Sequence, residues 1–344
     1  MTTRDLFLFI FAVFTALTTA GAQSSTKSLE FYGPLSEIYD GADNMFFNTE
    51  DTVSVSFVGE VSNEKMLNGY AEIRSTGQIV TYSGRIEDGI MRDENAEVLQ
   101  ITSDSTSDFY KGNFNGYEFD SCFYASGSDE SLFFGKMNGG TIEDDEAVYI
   151  GPLRNIYDGD ISVFVEESQF LNYSPEYFDN SDHTFYNGGM RNSKVAGTGS
   201  LAVIHDEDTL RYSGEFENAM AQGVGALTVG NFYSYTGHFV DGQIAGMGEL
   251  TSEKFSSIFT GSELIPNTDG NLTIKGLWAG TSGLSEYFRV TDADGNEEKL
   301  RVVDGEIMEL GFLQKIGNAI SGTKAAEWLE EYDEEFDGET VKVI

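Results

Sequence analysis

Cysteine is nearly absent from this chain. The single Cys122 excludes an intrachain disulfide, and its simplest place is that of a small apolar side chain in a strand. Histidine is equally scarce: His183, His205 and His238 stand apart with no second ligand at a metal-binding spacing, so the sequence offers no histidine cage. Only 4 prolines accompany 39 glycines, a balance that argues against a Pro-rich linker and in favour of hairpins and turns. Basic residues number 20 against 58 acidic ones. The resulting net charge of −38 excludes nucleic acid as a natural partner, opposes binding to anionic membranes, and leaves divalent cations as admissible counterions. Glycines are plentiful, yet none opens a phosphate-binding loop, because no Lys-Ser/Thr follows them. Beyond the N-terminus no apolar run is long enough to span a bilayer.

What is present begins with a leader-like segment. Arg4, the apolar run Leu6 to Leu17 and the small residues Ala20-Gly21-Ala22 predict a secretory signal peptide over residues 1–22, and hence a secreted or otherwise exported protein. An uncleaved N-terminal membrane anchor is the alternative.

The strongest pattern lies further on. Tyr212, Gly214, Phe216, Gly223, Gly225 and Leu227 return as Tyr235, Gly237, Phe239, Gly246, Gly248 and Leu250, each displaced by 235 − 212 = 23 residues. A fixed period of this length marks a repeat array. Residues two apart share one face of a strand, so each unit reads as a β-hairpin whose aromatic side chains and glycines line one apolar face. A ring from a neighbouring hairpin is expected to lie over the gaps that the glycines leave. A third unit, Tyr186, Gly188 and Met190 with Gly197, Gly199 and Leu201, precedes these two.

This spacing, Tyr-x-Gly-x-Phe followed by Gly-x-x-x-Gly-x-Gly-x-Leu, closely resembles the MORN repeat. The resemblance implies a ribbon of antiparallel hairpins, usually non-catalytic, that serves as a scaffold, a dimerisation surface or a membrane-proximal module. Lipid headgroup binding needs cations, and these units carry Glu215, Glu217, Asp241 and Glu249 against one nearby Arg211.

The chain also repeats on a larger scale. Phe31-Tyr32-Gly33-Pro34-Leu35 through Tyr39-Asp40-Gly41 returns as Tyr149-Ile150-Gly151-Pro152-Leu153 through Tyr157-Asp158-Gly159, and 149 − 31 = 118. Residues 23–148 form a first, degenerate MORN-like half, with units opening at Phe57, Tyr82, Tyr110 and Phe133. Their second strands lose the paired glycines, Asp93 and Asn95 standing where the strong unit has Gly223 and Gly225, and a more irregular sheet is expected there. Residues 149–262 form the second half, interrupted by a loop insertion over 172–182, and Phe259-x-Gly261 opens one further unit. Residues 263–310 continue as a β-hairpin extension. Residues 311–344, with helical spacing through Phe312, Ile316, Ile320 and Trp328, predict a C-terminal amphipathic helix and acidic tail. The expected fold is thus mainly β: an elongated antiparallel sheet of stacked, internally duplicated hairpins with a C-terminal helical cap.

Chemistry is sparse. Asp292, Asp294 and Asn296 resemble the start of a calcium loop, but the closing position falls on Val303, and Asp294-Gly295 reads better as a hairpin turn. Asp144-Asp145-Glu146, Glu166-Glu167 and Glu330-Glu331 read as solvated faces. Asn271-Leu272-Thr273 fits a glycosylation acceptor. The sequence therefore assigns no catalytic, cofactor-binding or metal residues, and its named positions are structural. Two functions stay open: an exported non-catalytic scaffold binding another protein or itself, and an exported glycan-binding domain or hydrolase using the concave face of the sheet.

Overall fold

The computed structural model describes residues 27–76, 79–101, 106–159, 183–205, 208–231, 233–252, 269–279, 284–303 and 306–309. The protein is mainly β and built of stacked antiparallel hairpins. Among the described residues the helical pieces are two 3-10 turns, Leu35–Glu37 and Leu153–Asn155. The chain divides into two compact units, Met1–Gly151 and Pro152–Ile344. The leader, the insertion at 172–182, the Phe259 unit and the C-terminal helix and tail lie outside the described residues.

In the first unit the strands are β1 (Lys27–Pro34), β2 (Thr52–Ser62), β3 (Lys65–Ser75), β4 (Ile79–Glu87), the two-residue β5 (Ile90–Met91), β6 (Asp93–Ile101), β7 (Ser107–Phe114), β8 (Phe119–Ser126), β9 (Ser131–Asn138), the two-residue β10 (Thr141–Ile142) and β11 (Asp144–Pro152). Each long strand pairs with the next in sequence, so the sheet grows by simple meandering. In the second unit β12 (His183–Arg191), β13 (Lys194–His205), β14 (Asp208–Glu217), β15 (Met220–Val229), β16 (Tyr233–Val240) and β17 (Gln243–Ser252) are followed by β18 (Leu272–Ala279), β19 (Leu284–Thr291), β20 (Glu297–Val303) and β21 (Glu306–Glu309), again paired in order.

Two-residue turns fix the hairpins. Asn63-Glu64, Asn192-Ser193, Asn218-Ala219 and Asp241-Gly242 all have positive φ at both positions, the type I′ conformation whose twist matches that of paired strands. Asn or Asp stands first in each because its short polar side chain tolerates the left-handed region better than other residues do.

One face of each sheet is buried, and in the first unit the segment after the 3-10 turn covers it. Leu35, Ile38, Tyr39 and Phe47 are buried, and the Phe46 ring meets Tyr110, Phe114 and Phe119 at centroid distances of 5.0, 6.0 and 6.1 Å. The Asn44 side-chain oxygen accepts from the Phe46 and Phe47 amides, which shapes the loop to present both rings.

The duplicated Gly-Pro-Leu segment docks in the same way within each unit. The Ile38 carbonyl accepts from the Met66 amide, and the Ile156 carbonyl accepts from the Val195 amide. The Asp40 amide donates to Gly89 and the Asp158 amide to Ala219. Lys65 Nζ lies 2.6 Å from Asp40, and Lys194 Nζ lies 2.6 Å from Asp158. Finally the Tyr39 hydroxyl accepts from the Met91 amide at 3.2 Å, and the Tyr157 hydroxyl from the Ala221 amide at 3.3 Å. A single 3-10 turn and a buried tyrosine therefore lock onto the opening hairpins of each unit.

Candidate interaction surface

The repeat residues are core residues. Tyr186, Tyr212 and Tyr235 are buried, and each lies over the glycine two positions ahead of it. A Cβ on Gly214 would stand 2.6 Å from the Tyr212 hydroxyl, and one on Gly225, in the facing strand, 2.7 Å from it. Gly188 and Gly199 stand in the same relation to Tyr186, and Gly237 and Gly248 to Tyr235. The ring over each glycine pair thus comes from the hairpin's own first strand, a correction to the expected neighbouring hairpin. Strand parity places residues i and i+2 on one face, so a ring laid along its own strand reaches the i+2 glycine first.

The hydroxyl gives the ring a fixed end. Tyr186 donates to the Gly189 carbonyl at 2.6 Å, Tyr212 to Glu215 at 2.8 Å and Tyr235 to His238 at 3.0 Å, always three residues ahead. Those carbonyls lie where the ladder is interrupted: after Gly188, Gly214 and Gly237 the register skips residues on the facing strand. Gly197, Gly223 and Gly246 occupy the skipped stretches at φ of 65, 65 and 73°, which favours glycine. Met190, Phe216 and Phe239 complete the face, and neighbouring units interlock edge to face: Tyr186 with Phe216, Tyr212 with Phe239, and Tyr235 with Trp278.

Trp278 belongs to a unit that the spacing argument passed over. Ile274, Gly276 and Trp278 on β18 face Leu250, Gly248 and Gly246 on β17, the register in which Tyr235, Gly237 and Phe239 face Leu227, Gly225 and Gly223 on β15. Its signal was the glycine flanked at two residues on each side by large apolar groups, hidden because the period had lengthened. In the first unit Phe57 lies over Gly59 and Gly69, and Tyr82 over Gly84 with its hydroxyl on the Arg85 carbonyl. Asp93, standing where the strong unit has a glycine, accepts from the Arg85 and Asn95 amides and so supplies the acceptors at this break in the ladder.

Groups with reactive chemistry are committed elsewhere. Cys122 is buried, and burial pushes its thiol up to about 12. The Asp292 carboxylate accepts from the Asp294 and Asn296 amides and from the Asn296 side chain, closing the β19–β20 turn. Asp144 accepts from the Lys136 and Glu146 amides, and a His238 ring nitrogen lies 3.2 Å from the Met247 carbonyl. His183 is exposed at the start of β12, and His205 closes the β13–β14 hairpin opposite Asp208. Among the described residues no three His, Cys, Asp or Glu side chains are grouped to hold a metal ion.

What remains is the opposite face of each sheet. In the second unit cross-strand rows there carry small hydroxyls: Ser200 beside Ser213, and Thr228, Ser234, Thr251, Thr273 and Thr291 in succession, with Thr251 and Thr273 hydroxyls 2.9 Å apart. The first unit differs. One row there runs Lys111, Phe123, Phe134, Val148 and the next Leu99, Phe109, Ala125, Leu132, Ile150. Phe134 is 55% exposed and Val148 40%, and Leu99, Phe109, Phe123, Leu132 and Ile150 are half-buried. An ion pair of Lys111 with Glu97, at 2.8 Å, closes one end of the first row. The apolar side chains are continuous across β6, β7, β8, β9 and β11.

No protein-family model matches the chain, and no curated protein matches it.

Proposed function

We propose that this is an exported, non-catalytic scaffold of the MORN-repeat type that binds another protein through the open face of its sheet. The observation that carries the reading is the continuous apolar surface around Phe134 and Val148, left on the face that the fold does not use for its core. A sheet pays for its buried face by packing; a second apolar face is superfluous to folding and costs solubility unless something covers it. The repeat device supports the family reading, because tyrosine laid over paired glycines explains why Tyr-x-Gly-x-Phe and Gly-x-Gly recur together. Export rests on the leader-like residues 1–22, with membrane anchorage through that segment as the alternative.

The test is cross-linking of the tagged full-length protein in its source cells, followed by mapping of the linked residues. A discrete partner linked to open-face residues is the expected result. A second reading, glycan binding, has one observation in its favour: Tyr70, 54% exposed, lines a shallow groove with Asn68, Arg85 and Asp88. Retention on a polysaccharide column that is lost in Tyr70→Ala, with no cross-linked protein, replaces the scaffold by that reading.

A further inference from the structure

We infer that the apolar strip of the first unit is the seat of an amphipathic helix from a basic partner protein. The inference rests on the scaffold reading and names the partner's chemistry. The strip crosses five strands; it is two apolar side chains wide over β8, β9 and β11 and one wide over β6 and β7, where Glu97 and Lys111 pair. With strands about 4.8 Å apart and same-face residues nearly 7 Å apart, it measures roughly 20 Å by 10 to 12 Å. That footprint is on the order of 250 Å², well under the ~800 Å² per partner of a standard protein interface, so face-to-face pairing of two copies finds too little apolar area here. Two copies, each of net charge −38, also repel one another.

A helix fits the same dimensions. It is about 10 Å across, and 20 Å corresponds to ~13 residues. One apolar anchor per turn, every ~5.4 Å, meets one strand about every 4.8 Å, so successive anchors fall beside Phe109 on β7, Phe123 on β8, Leu132 or Phe134 on β9, and Val148 on β11. An extended partner strand would need an open sheet edge, whereas this strip lies on a face. The partner's outward side is basic because the chain's negative field attracts cations and repels acidic helices.

The experiment titrates the full chain with a synthetic 16-residue Leu/Lys amphipathic helix and, separately, with a scrambled peptide of the same composition, following peptide fluorescence anisotropy in 0.15 M salt. Phe134→Glu disrupts the strip at an exposed position, Thr228→Glu adds the same charge to the open face of the second unit, and circular dichroism checks that both variants keep their sheets. The expected result is saturable binding of the amphipathic peptide, weakened at least tenfold by Phe134→Glu and unchanged within twofold by Thr228→Glu, with the scrambled peptide at least tenfold weaker. Equal binding of both peptides, or equal effects of both variants, overturns the proposal in favour of plain charge attraction. A dimer in light scattering that Phe134→Glu dissolves makes the occupant a second copy, and intramolecular cross-links from Lys315 or Lys324 to Lys111 or Lys136 make it the chain's own C-terminal segment; either result overturns the proposal. A partner cross-linked in source cells to the second unit alone would leave the scaffold reading standing while removing this seat.

Discussion

At the scale of single residues, the tyrosine over its glycine pair separates two kinds of loss. Tyr212→Phe keeps the ring and removes the hydroxyl with its 2.8 Å donation to the Glu215 carbonyl, and is expected to cost about 1 kcal/mol. Gly225→Ala sets a methyl within 2.7 Å of the same ring, which is buried and tied at its hydroxyl to the Glu215 carbonyl and so has little room to yield. Overpacking of this kind costs typically 1–3 kcal/mol, so urea unfolding should rank Gly225→Ala as the more damaging variant, and the reverse order would mean that the ring moves aside. The turns give a prediction of the opposite sign. Glu64 is exposed at φ 69°, where an L side chain pays a steric cost that glycine does not. Glu64→Gly is expected to stabilise the first unit by roughly 1 kcal/mol, read as a higher urea midpoint at unchanged slope.

At the scale of elements, each half is held by a docked segment whose tyrosine hydroxyl satisfies a buried backbone amide. Tyr39→Phe leaves the Met91 N–H without that acceptor, and Tyr157→Phe does the same to Ala221. An unsatisfied buried donor costs about 1–3 kcal/mol, so hydrogen exchange should accelerate around β5 in the first variant and around β15 in the second. Exchange that rises equally in both halves in either variant would show that the docks are not local. Much of this level was legible in the sequence: the 23-residue step located β14 to β17, and the 118-residue step located both docked segments. What the spacing could not tell was direction. Tyr-x-Gly fixes that ring and glycine share a face, but not whose glycine the ring covers, and the answer depends on how far a Tyr side chain reaches along its own strand. The Ile274-Gly276-Trp278 unit was missed because a longer connection broke the period. The apolar strip had a signal as well: Cys122-Phe123-Tyr124-Ala125 and Leu132-Phe133-Phe134 are apolar at both parities, which an ordinary half-buried strand is not.

At the scale of the whole molecule, two electrostatic effects act on stability and can be separated. Burial raises the hydroxyl pKa of Tyr82, Tyr110, Tyr186 and Tyr212 above the ordinary value near 10, with neighbouring titratable groups in a lesser role at Tyr82, Tyr110 and Tyr212. In the unfolded chain these groups lose their protons near pH 10, whereas in the folded protein they keep them. The unfolded state therefore binds fewer protons above that pH, so the stability from these tyrosines is complete below about pH 10 and is lost as the pH rises further. Cys122, pushed up by burial in the same sense, adds to the loss above its ordinary value near 9. Self-repulsion from 58 acidic residues acts separately and is strongest at low ionic strength, because the screening length falls from about 30 Å at 0.01 M salt to ~3 Å at 1 M. Raising salt should thus increase the thermal midpoint at pH 7 while leaving the alkaline onset near pH 10, since the alkaline loss comes from desolvation that salt does not screen. Tyrosinate absorbance should then appear together with loss of the sheet's circular dichroism, in one transition. Gradual ionisation from pH 10 with the sheet intact would mean that the tyrosine ladder is open to water, and an alkaline midpoint that climbs with salt would assign the transition to repulsion between carboxylates.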